Sequence, residues 1–222
     1  MMPIYNGLEF FEKAYESIKA QTFQDWELII GINGYPPDSM AYRNMRNYNS
    51  DKVKVLDLPQ VVGKSQALNE MLQYCQYDWL AILDVDDYWE PTKLEKQIPY
   101  LGTYDIVGTL GQYFGTKGDL INIKSGEVSF FELLVANQII NSSSIFRKED
   151  AHWEPKFDGV EDYFMWLRLA MDGKTIYNVP EVLTHHQIYA GSFYNTKLFK
   201  LLADWKIPHR NLSMFLISHL KK

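Results

Sequence analysis

The sequence has little cysteine, no excess of basic charge and no long apolar run. Cys75 is the only cysteine among 222 residues, so no disulfide can form within the chain and a cysteine-based zinc site is disfavoured. Lys and Arg number 22 against 28 Asp and Glu, a net charge of −6, which argues against nucleic-acid binding. No apolar run approaches the ~20 residues of a membrane span, and the opening Met1-Met2-Pro3 lacks the features of a signal peptide. These absences predict a soluble, cytoplasmic protein.

The first half of the chain alternates short apolar runs with helical patterns. With 46% apolar and 15% aromatic residues, the chain can bury a sizeable core. The alternation is typical of an α/β fold, in which a mostly parallel sheet is flanked by crossover helices. Leu8, Phe11, Tyr15 and Ile18 recur at helical spacing, Ser65 is a candidate helix cap, and Pro91 marks the expected start of another helix. The expected strands are 26–32, 53–58, 79–83 and 105–109.

The second half is less regular. Glycines punctuate residues 108–126, which predicts loops or a hairpin. Helices are expected at 130–136 and 161–171, and strands at 139–147, with a polar centre, and at 177–184, interrupted by Pro180. The tail suggests two short amphipathic helices, 198–205 and 212–220, which either dock on the domain or touch a membrane surface. Their modest basic charge favours docking.

The cluster Asp84-Val85-Asp86-Asp87 is the sharpest local signal. It follows an apolar strand, and open α/β sheets bind their ligands at the carboxyl ends of strands. Carboxylates this close repel one another unless a cation neutralises them. Mg²⁺ or Mn²⁺ suits such carboxylates together with the oxygens of a diphosphate. A capping group in an exposed turn is the weaker alternative.

A second acidic pair, Glu161-Asp162, opens the helix expected at 161–171. Acidic residues favour helix N-termini, so a purely structural role accounts for the pair equally well. The functional alternative makes one carboxylate a general base. In that case Tyr163, Trp166 and Arg168 would wall an acceptor site.

Read in order, five segments resemble family 2 glycosyltransferases of the GT-A fold over residues 3–192. They are the turn Pro3-Ile4-Tyr5-Asn6-Gly7, residues 17–30 (SIKAQTFQDWELII), residues 63–69 (GKSQALN), the D-x-D segment 83–87 with residues 91–97 (PTKLEKQ), and residues 157–168 (FDGVEDYFMWLR). The resemblance implies one GT-A domain over 1–192, with a nucleotide-binding half at 1–107 and an acceptor-side half at 108–192. Residues 193–222 would form a helical tail.

The resemblance also implies roles for individual residues. Six residues of the first half would border the nucleotide: Pro3, Tyr5, Asn6, Asn33, Lys64 and Asp84. Of these, Asp84 would hold the base or ribose. Asp86 would bind a divalent metal, Mn²⁺ or Mg²⁺, that bridges the diphosphate. Asp162 would be the general base, supported by Glu161, and one base with in-line attack predicts inversion at the sugar carbon.

The sequence departs from the family pattern at two positions. Asn33 stands where relatives usually carry an acidic residue facing the nucleotide base, which leaves the choice of nucleotide open, with UDP as the default. Tyr189 falls where relatives often carry a histidine metal ligand. His185 and His186 lie a few residues earlier, and packing or surface roles are favoured for them over metal ligation.

The implied partners are a nucleotide-sugar donor and a glycan, lipid-linked or protein-linked acceptor. A degenerate GT-A domain used only for binding is the non-enzymatic alternative. A haloacid-dehalogenase-like phosphatase also places D-x-D after a strand, but near the start of its fold. A nucleotidyltransferase would need a basic, glycine-rich loop near the N-terminus. The presence of all four acidic residues, Asp84, Asp86, Glu161 and Asp162, favours an active transferase.

Overall fold

The computed structural model describes residues 1–188 and, beyond them, only positions 214, 217 and 219. The strands are β1 Met2–Ile4, β2 Leu28–Asn33, β3 Val53–Leu58, β4 Trp79–Ala81, β5 Tyr88–Trp89, β6 Ile106–Gly115, β7 Gly126–Val128, β8 Ile145–Arg147 and β9 Ile176–Ile188. The α-helices are α1 Phe11–Lys19, α2 Met40–Met45, α3 Lys64–Met71, α4 Lys93–Gln97, α5 Phe130–Val135 and α6 Glu161–Met171. Short 3₁₀ turns extend several of these helices.

The strands form a parallel group and a mixed group that meet at the first residues of the chain. β1, β2 and β3 pair in parallel, in the order β1-β2-β3. The second group has the order β4-β8-β6-β9-β5, with β7 paired to β9. The Leu83 N–H donates to the Met1 carbonyl at 3.1 Å, and the Met1 amine donates to the Ala81 carbonyl at 2.7 Å. These bonds place the segment after β4 beside β1, as the predicted α/β architecture requires.

Helices cover both faces of the sheet because its strands are apolar on both sides. Along β2, Leu28 and Ile30 enter a core with Phe11 of α1, whereas Ile29 enters a second core with Leu68 of α3. Successive side chains of a strand point to opposite faces, so the apolar run in β2 fills both layers. α6 packs in the second core, with Trp166 wholly buried. The three-layer arrangement leaves the ends of the strands free to carry the polar side chains.

β6 and β9 are longer than the sequence indicates. β6 runs from Ile106 to Gly115 through a stretch that the glycines marked as loop, and β9 continues through Pro180. The two strands pair in parallel, and their register shifts between Thr109 and Gly111. Proline donates no backbone hydrogen bond, and strands tolerate it at such irregularities. The glycine and proline signals therefore marked a bulged strand pair. The loop prediction over 108–126 was wrong for residues 108–115 and is confirmed for residues 116–125, which form no named strand or helix.

The strand predicted over 139–147 is confirmed only for Ile145–Arg147. Residues Asn141–Ser143 form a 3₁₀ turn. The hydroxyls of Ser143 and Ser144 each donate to a carbonyl three residues earlier, at Ile140 and Asn141. Serine and asparagine side chains offer the backbone such local bonds and compete with strand pairing.

Two predicted helix starts need correction. α3 begins at Lys64, and the Ser65 hydroxyl donates to the Asp158 carboxylate and does not cap α3. α4 begins at Lys93, two residues beyond Pro91. Within the described residues, no helix is long and apolar enough to cross a bilayer. The predicted tail helices and Tyr189 lie outside the described residues, apart from positions 214, 217 and 219.

Candidate active site

The candidate site lies beyond the carboxyl ends of β2 and β4 and at the N-termini of α3 and α6. Asn33 ends β2, Asp84 follows β4, Lys64 begins α3 and Glu161 begins α6. Parallel strands present their carboxyl ends at one edge, so the fold brings together side chains that are far apart in sequence. Most of the residues predicted to act on the nucleotide and sugar lie at this edge.

Lys64 joins the two halves of the site. Its ammonium lies 2.7 Å from a carboxylate oxygen of Asp84 and 3.4 Å from one of Glu161. Burial opposes the charged form, but Asp84 and Glu161 outweigh it and raise the pKa of Lys64 above its ordinary value. Burial likewise opposes ionisation of Asp84, yet Lys64 holds the pKa of that carboxyl below its usual range. The three side chains therefore form a charged bridge from the strand ends to α6.

Asp87, the last carboxylate of the cluster, is fully engaged by the protein. One oxygen accepts the Gln187 backbone N–H at 2.9 Å, and the other pairs with His186 Nδ1 at 3.0 Å and with the Ser142 hydroxyl. Its side chain is wholly buried. Burial disfavours the charged form of His186, but Asp87 prevails and raises the pKa of His186 to about 9. Asp87 thus has a structural role in this arrangement.

Asp86 is the carboxylate of the cluster whose side chain has no ion pair among the described residues. Burial, together with the charges of Asp87 and Asp84, raises the pKa of Asp86 to about 7. A divalent cation would remove that repulsion, and carboxylate oxygens are ligands that Mg²⁺ and Mn²⁺ prefer. The residues at this corner therefore fit a metal, with Asp86 as the side chain that would hold it.

No group of three His, Cys, Asp or Glu side chains in the described part of the chain converges as a complete metal cage. Asp84 is paired with Lys64, and Asp87 with Ser142, His186 and Gln187. A cation at Asp86 would need oxygens beyond those of the described acidic side chains, and a diphosphate could supply them.

The 3₁₀ turn Asn141–Ser143 forms hydrogen bonds with Asp84 and Asp87. The Asp84 N–H donates to the Ser142 hydroxyl oxygen at 3.1 Å, and that hydroxyl donates to Asp87. The amide of Asn141 lies 3.4 Å from an Asp84 oxygen, while its own Oδ1 is buried with no partner among the described residues. The polar centre noted in the predicted strand is therefore the part of the segment that touches the site.

At the start of α6, Glu161 and Asp162 occupy different environments. Glu161 has a side chain that is 5% exposed, pairs with Lys64 and accepts the Gly159 N–H at 2.5 Å. Asp162 receives one side-chain bond, from the Asn137 amide at 3.4 Å. Burial and the Glu161 charge raise the pKa of Asp162 to about 7, against an opposing effect of Lys64. A carboxylate that protonates near neutral pH is suited to general-base catalysis.

Asn33 and the turn after β1 form the other end of the site. Asn33 is fully buried, and its amide donates to the Gly63 carbonyl at 3.1 Å. Its Oδ1 has no partner among the described residues. The Tyr5 ring is 54% exposed and lies against Gly34, where an added Cβ would be 2.4 Å from it. Pro3 is a buried residue of β1, whereas Asn6 is exposed beside Tyr5.

The predicted acceptor wall was wrong for the aromatic residues of α6. Trp166 is wholly buried, with its ring edge-on to Phe146 at 5.1 Å, and Tyr163 is buried with its hydroxyl on the Leu133 carbonyl. Arg168 donates to the Asp150 carbonyl at 2.7 Å. It lies ~9 Å along the helix axis from Asp162 at 1.5 Å per residue. The aromatic pattern of α6 reflects core packing.

His186, Ser142, Asn137 and Asp158 are site residues to which the sequence analysis gave no functional role. The sequence analysis favoured a packing or surface role for His186, whereas its ring pairs with the Asp87 carboxylate. Ser142 lies within a polar interruption of an apolar segment, and Asp158 lies within a segment that carries the family resemblance. The polar interruption was the sequence signal for Ser142. Its hydrogen-bond partners could not be read from the sequence, because they come from distant parts of the chain.

The fold and this site define a GT-A glycosyltransferase. A family model described as Glycosyl transferase family 2 matches residues 1–202. The chain therefore belongs to glycosyl transferase family 2, as the sequence segments indicated.

A curated relative and two solved structures illustrate this kinship. The chain is 22% identical over 222 residues to the Escherichia coli UDP-Glc:alpha-D-GlcNAc-diphosphoundecaprenol beta-1,3-glucosyltransferase WfgD, covering 93% of this chain and 83% of that protein. S. aureus TarS 1-349 in complex with UDP-GlcNAc superposes with a TM-score of 0.70 at 15% identity, over 88% of this chain and 59% of that one. Mannosyltransferase PcManGT from Pyrobaculum calidifontis, in complex with GDP-Man and Mn²⁺, gives 0.65 at 17% identity, over 99% and 68%. At such identities the structures establish the fold alone, and this chain spans about three fifths of the TarS chain.

Proposed function

We propose that the protein transfers a sugar, with inversion, from a nucleotide-diphosphate sugar to an acceptor hydroxyl in glycan or polysaccharide synthesis. The observation that carries the proposal is the pair of half-buried carboxylates, Asp86 and Asp162, whose surroundings raise the pKa of each to about 7. Between them runs the bridge Asp84–Lys64–Glu161, in which one ammonium pairs with two carboxylates. Asp86 is suited to binding a cation and Asp162 to accepting a proton, and sugar transfer needs both functions.

The nucleotide would bind between Asn33, Tyr5 and Asp84. UDP is our first choice of nucleotide, because WfgD is named for a UDP-sugar and TarS was solved with UDP-GlcNAc. Asn33 would form the floor of the base site, where its fully buried amide is held by the Gly63 carbonyl. The half-exposed Tyr5 ring offers a stacking surface beside it. Asn6 and Lys64 flank the same space, and Pro3 acts by fixing the turn.

The diphosphate would lie next to Asp86. A divalent metal held there would stabilise, as a Lewis acid, the negative charge that develops on the leaving nucleotide. Asp86 would hold the cation, whereas His186 and Ser142 fix the neighbouring side chain of Asp87. Lys64 keeps Asp84 ionised beside the donor.

Asp162 would take the proton of the acceptor hydroxyl as the oxygen attacks the anomeric carbon. Asn137 fixes one oxygen of Asp162, which leaves the other for the acceptor. Burial and the charge of the neighbouring Glu161, which pairs with Lys64, raise the pKa of Asp162 and so its basicity. Attack from the face opposite the leaving group inverts the sugar carbon.

The acceptor class is the least constrained part of the proposal. WfgD is named for a lipid-linked acceptor, a diphosphoundecaprenol. A lipid-linked saccharide is accordingly our first choice over free glycans or protein acceptors. Peripheral contact of the tail with a membrane would suit such an acceptor.

The test is a donor panel assayed with and without Mn²⁺. Release of nucleoside diphosphate from UDP-glucose, UDP-galactose, UDP-N-acetylglucosamine and GDP-mannose is measured for the parent, Asp86→Ala, Asp162→Asn and Asp51→Asn. Asp51 is an exposed residue at the opposite end of the sheet, just before β3, and is the matched control. Heat stabilisation by UDP and Mn²⁺ is recorded for the same proteins.

We expect Asp86→Ala to lose the Mn²⁺-dependent stabilisation by UDP. Asp162→Asn should keep that stabilisation and lose turnover by ~10²–10⁴-fold, the usual contribution of a general base. Asp51→Asn should match the parent. Parent-like turnover in both site variants would refute the assignments. Stabilisation by nucleotide without turnover of any donor would instead favour the binding-only domain.

A further inference from the structure

A carboxylate with no assigned role joins the start of α3 to the segment that precedes α6. Asp158 Oδ1 accepts the Ser65 backbone N–H at 2.9 Å and also the Ser65 hydroxyl. Ser65 is fully buried and directly follows Lys64. These two bonds anchor the backbone from which the Lys64 side chain leaves.

The preceding residue, Gly63, makes this close approach possible. A Cβ on Gly63 would lie 1.8 Å from Asp158 Oδ2, and the φ of Gly63 is +86°, in the region that favours glycine. The Gly63 carbonyl accepts the Asn33 amide at 3.1 Å. The contact of Asp158 with Gly63 and Ser65 therefore links the end of β2 to the segment before α6.

Asp158 also lies four residues before the proposed base, Asp162, in sequence. Phe157 is buried in the core, and the Gly159 N–H donates to the Glu161 carboxylate. The segment is thus fixed on both sides of Asp158. Lys64 reaches Asp84 and Glu161 together only if α3 and this segment keep their spacing.

We infer that Asp158 is a positioning residue, which holds Lys64 between Asp84 and Glu161 by fixing the start of α3 against the segment before α6. The inference rests on the proposed function, because it gives the bridge a role in transfer. Asp158 acts through Lys64 and does not touch the reacting atoms. Small errors in the placement of such groups reduce catalysis strongly.

A simple helix-capping role is the competing explanation, and substitutions separate the two. Asp158→Ala removes both bonds, whereas Asp158→Asn keeps an acceptor oxygen for Ser65. Ser65→Ala removes only the hydroxyl bond and is the milder variant should Asp158→Ala fold poorly. Asn49→Ala is the control, because Asn49 Oδ1 accepts the Val55 N–H at 2.8 Å in a turn near the opposite end of the sheet.

The first measurement does not depend on activity. Lys64 is labelled with an amine-acylating reagent, and its modification rate is followed by mass spectrometry relative to that of Lys19. An ammonium freed from two carboxylates deprotonates more readily, so labelling should rise by about tenfold or more in Asp158→Ala. The rise should be smaller in Ser65→Ala and in Asp158→Asn, and absent in Asn49→Ala. Unchanged Lys64 labelling in Asp158→Ala and Ser65→Ala would overturn the inference.

The second measurement is transfer with the donor that the parent uses. We expect kcat per folded molecule to fall by about tenfold or more in Asp158→Ala and to be largely restored in Asp158→Asn. Capping alone would lower the melting temperature and leave kcat and Lys64 labelling at parent values, which would also overturn the inference. A parent without turnover would count against the proposed function, while the labelling would still decide the role of Asp158.

Discussion

Replacement of Lys64 by methionine should destabilise the protein through the two carboxylates that it leaves behind. Removing one partner of a buried ion pair costs ~3–5 kcal/mol because the other charge remains buried. The Lys64 side chain is 30% exposed and that of Asp84 22%, so water replaces part of the lost interaction. We therefore expect a loss of ~2 kcal/mol in the free energy of unfolding. For a chain of this size that corresponds to a melting temperature lower by about 4–8 °C.

The loss should depend on pH, and its sign follows from Asp84. In the parent, Lys64 lowers the pKa of Asp84 below its unfolded value, so this pair stabilises the protein above that value and the effect fades as the pH falls. In Lys64→Met, burial raises the pKa of Asp84, and the folded state then favours the protonated acid. The difference between parent and variant should already be present at pH 4.5, which lies above the ordinary value of 3.8 for Asp84. It should be larger at pH 7.5, where the Asp84 carboxyl of the variant must ionise without a cation.

The assay is urea unfolding at both pH values, with EDTA and without nucleotide. Lys19→Met is the matched control, because Lys19 pairs with Glu16 on the surface, where the two side chains are 48% and 52% exposed. Such pairs contribute ~0–1 kcal/mol, so the control should stay near the parent at both pH values. Equal destabilisation of Lys64→Met at pH 4.5 and 7.5, or none, would refute the electrostatic account of the bridge.

Two further predictions concern the carboxylates themselves. The surroundings of Asp162 raise its pKa to about 7, so kcat/KM at constant metal should fall about tenfold per pH unit below pH 7 as the base becomes protonated. A flat profile of kcat/KM from pH 5 to 8 would exclude Asp162 as the base. Ser142→Ala leaves the buried Asp87 without one donor and the Asp84 N–H without its acceptor. It should lower the free energy of unfolding by ~1–3 kcal/mol, measured in thermal or urea melts. Ser125→Ala, in an exposed loop, is the control and should leave stability unchanged.

Local pattern predicted the elements whose character is set by neighbouring residues. β3 and α6 have the boundaries that the sequence indicated, and β2 was placed to within two residues. An apolar run that ends in polar residues, or an acidic pair that opens a helical pattern, describes a short stretch and needs no distant partner. For the same reason the Asp84–Asp87 cluster was correctly placed after an apolar strand.

The same reasoning failed where local and distant contacts compete. The glycines of β6 and Pro180 suggested breaks, yet pairing between β6 and β9 absorbs them in a bulge. Trp166 looked like a wall of the site because the sequence cannot say which side of α6 faces the sheet. Packing against Phe146 decided the matter.

The sequence by itself therefore determined the α/β architecture and the positions of the carboxylates, because these depend on composition, periodicity and order along the chain, and the resemblance of five segments indicated the family. Tertiary structure decided how the carboxylates differ. Lys64 pairs with Asp84 and Glu161, Ser142 and His186 engage Asp87, and Asp86 and Asp162 keep raised pKa values. The charge state of a buried carboxyl depends on its desolvation and on the groups within a few ångströms, and here those groups come from distant parts of the chain.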